Sequence, residues 1–261
     1  MAGMKLYDKL MADLFCVDYK AAQLIPRQPH PGTCDWMFTD STFQRFANDS
    51  GSSVLLLSGP PGCGKTVLTR HIADQVLTGQ PVLLNQTSTG LVASFFCSDS
   101  VQDSTSEQAI LRSLLHQLLQ LNSPSPVVVV NRLIDCDRKD LVPGGLDAEV
   151  YNLAVPNLWG AIEDVLAMDA MEHAFVCIDA VDELRPSDAE RLLDGFNNII
   201  GRFNQGMRGP NRQLRVLFSS RPNAQYAARF PFMQVFLLPK RHKSPPPPFA
   251  HPYLSRTRIY T

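Results

Sequence analysis

Gly59-Pro60-Pro61-Gly62-Cys63-Gly64-Lys65-Thr66 has the spacing GxxxxGK[ST], a pattern able to cradle phosphate. Each residue type has a physical reason. Glycines at 59, 62 and 64 permit the turns that aim successive N–H groups at anionic oxygens. A helix opening directly after the loop adds the positive end of its dipole. Lys65 can reach the β- and γ-phosphates of a nucleotide, and the Thr66 hydroxyl can ligate magnesium. Pro60, Pro61 and Cys63 fill variable positions, and Cys63 is given no redox role. The expected ligand is a purine nucleoside triphosphate with Mg2+.

Two further segments carry chemistry. In HAFVCIDAVDEL an apolar run ends in Asp179, and Asp182 and Glu183 follow. An acid at a strand end beside such a loop can hold magnesium through water. A second acid can orient or deprotonate the attacking water. Asp179 is assigned to the metal with Thr66, and Glu183 to the water, with Asp182 as its competitor. In RVLFSSRP an apolar run ends in two hydroxyls and an arginine. If that strand lies between the loop strand and the acidic strand, Ser219, Ser220 or Arg221 can sense the γ-phosphate. A plain surface arginine before a turn-forming Pro222 is the competing reading.

These groups need a scaffold. Apolar runs over 53–58, 91–97, 173–178, 214–219 and 232–238 alternate with amphipathic stretches. Short apolar strands separated by helices indicate a parallel sheet covered on both faces. An N-terminal helix places Leu6, Leu10, Leu14 and Val17 on one side, before a Pro/His/Gly-rich connection. Ser41 is expected to cap a helix burying Phe43 and Phe46. The helix after the phosphate loop carries Leu68, Ile72 and Val76 and should stop at Gly79. Ser104 with Glu107, and Ser187 with Glu190, form capping-box patterns. A helix over 157–168 buries Leu158, Trp159, Ile162, Val165 and Leu166. Residues 122–155 show no clear period.

Composition narrows the class. The chain has 261 residues, 44% hydrophobic and 19% charged, enough for one large α/β domain. A net charge of −1 gives no electrostatic reason to expect nucleic acid. No apolar run approaches the roughly 20 residues that span a bilayer. Asp8, Asp13 and Asp18 interrupt any signal-peptide pattern. The six cysteines are scattered singly, without zinc-like spacing. Cys97 and Cys177 lie within apolar runs and read as small buried hydrophobes. A reduced, cytoplasmic setting is expected.

Together these motifs resemble the NACHT NTPases of the STAND class, particularly the module of fungal NOD-like receptor proteins also called the nephrocystin-3-like N-terminal domain. The matching pieces are PGTCDW, GPPGCGKT, ASFFCSDS with AILRSLLHQLL, LWGAIEDVL, CIDAVDEL and VLFSSRP, in the family's order over about residues 20–238. Asp179-Ala180-Val181-Asp182-Glu183 fits the family's acidic motif at each place, and Arg221-Pro222 fits its sensor position. The resemblance implies a P-loop NTPase three-layer sandwich with five parallel strands in the order 5-1-4-3-2. It also implies a slow, regulated ATP/ADP or GTP/GDP signalling switch that forms homo- or hetero-oligomers with other NACHT proteins.

The expected organisation is an N-terminal helix and linker over 1–30, the NACHT-type domain over 31–239, and a Pro-rich extended or disordered tail over 240–261. Against the family pattern, the chain is expected to be a truncated form without helical, winged-helix and repeat segments. His242 and His251 are poor substitutes for the winged-helix histidine. Two other functions compete: another P-loop NTPase or kinase, and a non-hydrolysing interaction fragment. The Asp-x-x-Asp-Glu pattern argues against a small-molecule kinase. The stretch after about Pro239 is expected to be read from intron or a shifted frame. Sequencing the transcript across that junction checks this, and a clean mRNA encoding the same tail and stop would sink it.

Overall fold

Burial follows the alternation of strand side chains. Every residue of β1 (Ser53–Ser58), β2 (Leu91–Phe96) and β3 (His173–Asp179) is buried, as expected for strands covered on both faces. With β4 (Gln213–Ser220) and β5 (Met233–Leu237) they form one parallel sheet in the order β2-β3-β4-β1-β5. Read from the β5 edge, this is 5-1-4-3-2. The computed structural model describes residues 2–18, 29–30, 32–78, 91–98, 105–121, 129, 132–133, 152–168, 173–207, 213–223, 225–226 and 233–238. Ser104, Gly79, half of the Pro/His/Gly-rich connection and the 240–261 tail lie outside them.

The two faces hold separate apolar clusters. Val54, Leu56, Ala93, Phe95, Val176, Ile178, Val216 and Phe218 point to one face. There they meet α1 (Ala2–Leu14), α4 (Glu107–Leu121), α5 (Val155–Leu166) and α6 (Pro186–Asn204). Leu55, Leu57, Val92, Phe175, Cys177 and Leu217 point to the other. There they meet α2 (Ser41–Asn48) and α3 (Lys65–Leu77). Helix–sheet–helix is the three-layer sandwich the motifs imply. The strand period of two explains why one short run feeds both clusters.

Helix starts depart from the sequence reading where local chemistry is stronger. Asp40, not Ser41, caps α2: its Oδ1 accepts from the Thr42 N–H at 2.7 Å and the Phe43 N–H at 3.3 Å. A carboxylate also complements the helix dipole, which a hydroxyl does not. Ser187 caps nothing, because Pro186 opens α6 one residue earlier with its φ preset. Pro156 likewise draws the start of α5 back to Val155. At α4 the Ser106 hydroxyl accepts from the Ala109 N–H at 3.2 Å.

Glu107 is released from any capping role and ties three helices together. It is 1% exposed, and its carboxylate accepts from Trp159 Nε1 at 2.9 Å and Arg191 Nε at 2.7 Å. The Trp159 ring packs edge-on against Phe196, centroids 5.0 Å apart, and lies directly over Gly195. A Cβ at position 195 would sit 2.2 Å from the indole. Gly195→Ala should therefore destabilise the fold by about 2–3 kcal/mol, where an exposed helical Gly→Ala would stabilise it by about 1 kcal/mol. Adding Trp159→Leu should recover part of that loss, and urea denaturation of the double-mutant cycle measures it.

Candidate functional site

The ends of β1, β4 and β3 are brought level by register. Ser58 pairs with Ser220, and Ile178 with Phe218. The glycine-rich loop, the Arg-Pro turn and the acidic turn therefore leave the sheet side by side. Pairing on both sides fixes the base of the loop. The Gly59 N–H donates to the Ser220 carbonyl at 3.2 Å, and the Leu238 N–H donates to the Ser58 carbonyl at 2.7 Å.

Within the loop, glycine is required for two reasons. A Cβ on Gly59 would lie 2.7 Å from Cys63 Sγ and 2.9 Å from Leu238 Cβ. Gly62 and Gly64 have φ of 73° and 98°, in the left-handed region that side chains avoid. Gly64 is also the N-cap of α3, with no side chain to cap it. The first N–H groups of α3, which no helix can satisfy internally, are thus left facing the loop. The Lys65 ammonium is folded over that loop and donates to the carbonyls of Gly59 at 2.7 Å and Pro60 at 3.2 Å. The segment before β1 docks beside it. Cys34, Trp36 and Cys63 pack on the same apolar cluster, and His71 Nε2 of α3 pairs with Asp35 at 3.1 Å.

Asp179, the last residue of β3, is 2% exposed. Burial raises its pKa above the ordinary value, and the hydrogen bond from Ser219, the nearby hydroxyls of Thr66 and Thr69 and the charge of Lys65 oppose the rise. The Ser219 hydroxyl donates to Asp179 Oδ1 and accepts from the Ala180 N–H at 2.9 Å. Ala180 is held at φ 56°, a left-handed conformation in a residue that carries a Cβ. This corner throws the chain into the 3₁₀ turn Val181–Glu183, anchored by buried Val181.

Asp182 turns toward the end of β4. Its Oδ1 accepts from the Arg221 backbone N–H at 3.0 Å, and its Oδ2 lies 3.0 Å from Arg221 Nε. Glu183 follows in the same turn, half-buried, its N–H donating to the Ala180 carbonyl at 2.9 Å. Cys97 and Cys177 are buried, and burial first, then the neighbouring acids, push both thiols well above their ordinary range. They are inert at neutral pH.

The residues singled out in sequence thus meet at one end of the sheet. Gly59 to Thr66, Asp179, Asp182, Glu183 and Arg221 occupy adjacent turns. Thr66 and Asp179 face each other as hard oxygen donors, a set that fits magnesium. Of the three candidates at the end of β4, Ser219 faces Asp179, the Ser220 hydroxyl donates to the Arg221 carbonyl, and Arg221 pairs with Asp182. Thr69 had no place in the motif. Its position, one helical turn beyond Thr66, was the available sign.

A family model described as "Nephrocystin 3, N-terminal" matches residues 32–221. The vegetative incompatibility protein HET-E-1 of Podospora anserina is 27% identical over 163 residues, 61% of this chain. That match spans 10% of the relative's own length. A solved structure of PCH-2 from C. elegans aligns at a TM-score of 0.35 and 15% identity, covering 71% of this chain and 35% of that one.

The raised pKa of Asp179 makes its ionised form a cost to the fold. That cost is absent below the ordinary value of 3.8, where the acid is protonated in both states, and grows as pH rises through the folded value. Asp179→Asn keeps an acceptor for Ser219 and removes the charge. Without nucleotide or magnesium, it should melt higher than the parent at pH 7 and level with it below pH 3.8. The gain corresponds to about 2–4 °C per kcal/mol for a chain of this size. Melting curves across pH check it, and a lower melting point at pH 7 would contradict the buried-charge account.

Proposed function

The chain belongs to the nephrocystin 3 N-terminal family and carries its NACHT-type NTPase module, and from that premise we propose that it is a nucleotide-binding signalling switch for ATP or GTP. One observation carries the reading. The uncapped N-terminus of α3, with Lys65 folded over its loop, lies beside the buried Asp179 that faces Thr66. An anion-binding helix end and a buried carboxylate beside a threonine hydroxyl are complementary halves of a site for a nucleotide phosphate with a divalent ion.

In this reading the chain's own groups divide the work. The N–H groups of the loop and of the first turn of α3 bind phosphate oxygens. Lys65 exchanges its two carbonyl partners for the β- and γ-phosphates. Thr66 and Asp179 hold magnesium, which when bound neutralises charge on the transferring phosphate. Glu183 orients and deprotonates the attacking water. Arg221 senses the terminal phosphate. The module corresponds to residues 31–239, and its nucleotide state governs association with further NACHT-type copies.

Purified chain tests this by titration with fluorescent ATP and GTP analogues plus magnesium, followed by phosphate-release assays. The intact chain is expected to bind. Lys65→Ala removes charge-assisted hydrogen bonds worth about 1.5–3 kcal/mol and should weaken binding roughly 10- to 100-fold. Glu183→Gln should bind normally and turn over more slowly. Absence of binding by the intact chain removes the proposal. Binding indifferent to Lys65→Ala removes the loop assignment, and binding without turnover favours a non-hydrolysing module.

A further inference from the structure

Arg221 emerges between two turns that compete for it. The peptide unit joining Ser220 to Arg221 is used on both sides. Its carbonyl accepts from Gly59 of the phosphate loop at 3.2 Å, and its N–H donates to Asp182 of the acidic turn at 3.0 Å. The guanidinium follows the N–H, with Nε 3.0 Å from Asp182 Oδ2. Both oxygens of Asp182 are therefore directed at one residue. The Asp182 side chain is 18% exposed and that of Arg221 is 61% exposed, so the acid is the fixed partner and the arginine the movable one. The acid is fixed because its turn hangs from buried Val181 and from the Ser219 hydroxyl, which holds both Asp179 and the Ala180 N–H.

We propose that Asp182 is a latch for Arg221: it holds the guanidinium at the acidic turn and yields it to the terminal phosphate of a bound nucleoside triphosphate. The inference rests on the nucleotide-binding reading above and deepens it. A phosphate seated in the loop is a second anion within the neighbourhood of the same cation. The peptide link to Gly59 keeps the base of Arg221 beside that loop in either state. A diphosphate has no group to compete with the carboxylate, so the ion pair persists and the two nucleotide states differ by one exchanged contact. Asp182 is then a positioning residue acting through Arg221. The water-activating role falls to its neighbour Glu183 in the same turn.

The test is a double-mutant cycle read as the ratio of triphosphate to diphosphate affinity. It uses the intact chain, non-hydrolysable ATP and GTP analogues, their diphosphates and magnesium. Asp182→Asn keeps an acceptor for the backbone N–H but removes the charge. It should raise the ratio about three- to fivefold, the weight of a partly exposed ion pair. Arg221→Ala should lower the ratio, and in that background Asp182→Asn should change nothing. Asp182→Ala should shift the ratio in the same direction and replaces the asparagine variant if that does not fold. An unchanged ratio in Asp182→Asn, or an equal shift with and without Arg221, overturns the latch while leaving nucleotide binding intact. Failure of the parent chain to bind either nucleotide overturns the reading beneath it and the latch with it.

Discussion

A carboxylate buried at a strand end sets the terms for everything around it. Asp179 is 2% exposed, and an acid so placed must find hydrogen-bond donors or stay protonated. Its partners come from both neighbours of β3's end. Ser219 donates from β4, and the hydroxyls of Thr66 and Thr69 approach from α3. The strand order is what allows this. With β4 between β1 and β3, the loop helix and the acidic strand face one another across one intervening strand. Ser219 then serves twice, because its oxygen also accepts the Ala180 N–H and holds that residue at φ 56°. The left-handed corner costs roughly 1–2 kcal/mol in a residue bearing a Cβ. It also ends β3 abruptly and turns Asp182 and Glu183 toward the loop edge.

Much of this was legible in the residues themselves. Strand runs such as Ser53 to Ser58 are apolar between their terminal serines, the pattern that a strand buried on both faces favours. GPPGCGKT is constrained at each place by backbone geometry, so its type and spacing survive translation into structure: a Cβ at 59 collides, and 62 and 64 need positive φ. The acidic segment was legible for the same reason, since a charge at the end of an apolar run has few tolerable surroundings other than a site.

What was hidden depends on contacts made across the chain. Glu107 looked like the second half of a capping box. Its carboxylate instead lies 1% exposed under Trp159 and Arg191, residues 52 and 84 positions away. Arg215 sits unremarked inside an apolar run. It is 2% exposed, bonds the carbonyls of Asp49 and Gly51, and burial lowers its pKa to about 10. Local spacing cannot show that a charged residue will be buried, because the groups that make burial tolerable are supplied by distant segments. The helix starts were misplaced for a related reason. A proline or a carboxylate one residue away outcompetes a hydroxyl, and several such signals overlap within one turn.

The site combines terms that all point one way. Asp179 is ionisable and desolvated, α3 begins without a side-chain cap, Lys65 is satisfied by loop carbonyls, and Ala180 is held left-handed. Neither Asp179 nor Lys65 belongs to the apolar clusters on the two faces of the sheet. A fold selected only for stability would cap the helix and replace the buried acid. In the proposed reading a phosphate supplies the missing cap and a divalent cation the missing countercharge. The ligand then relieves, in one event, costs distributed over the ends of three adjacent strands. Binding and stability are coupled by that arrangement, because a ligand that binds only the folded chain stabilises it by RT ln(1 + [L]/Kd). The Asp182–Arg221 pair lies where those strand ends meet. In the proposed reading it is the contact that distinguishes the two nucleotide states, and it lies outside both apolar clusters of the core.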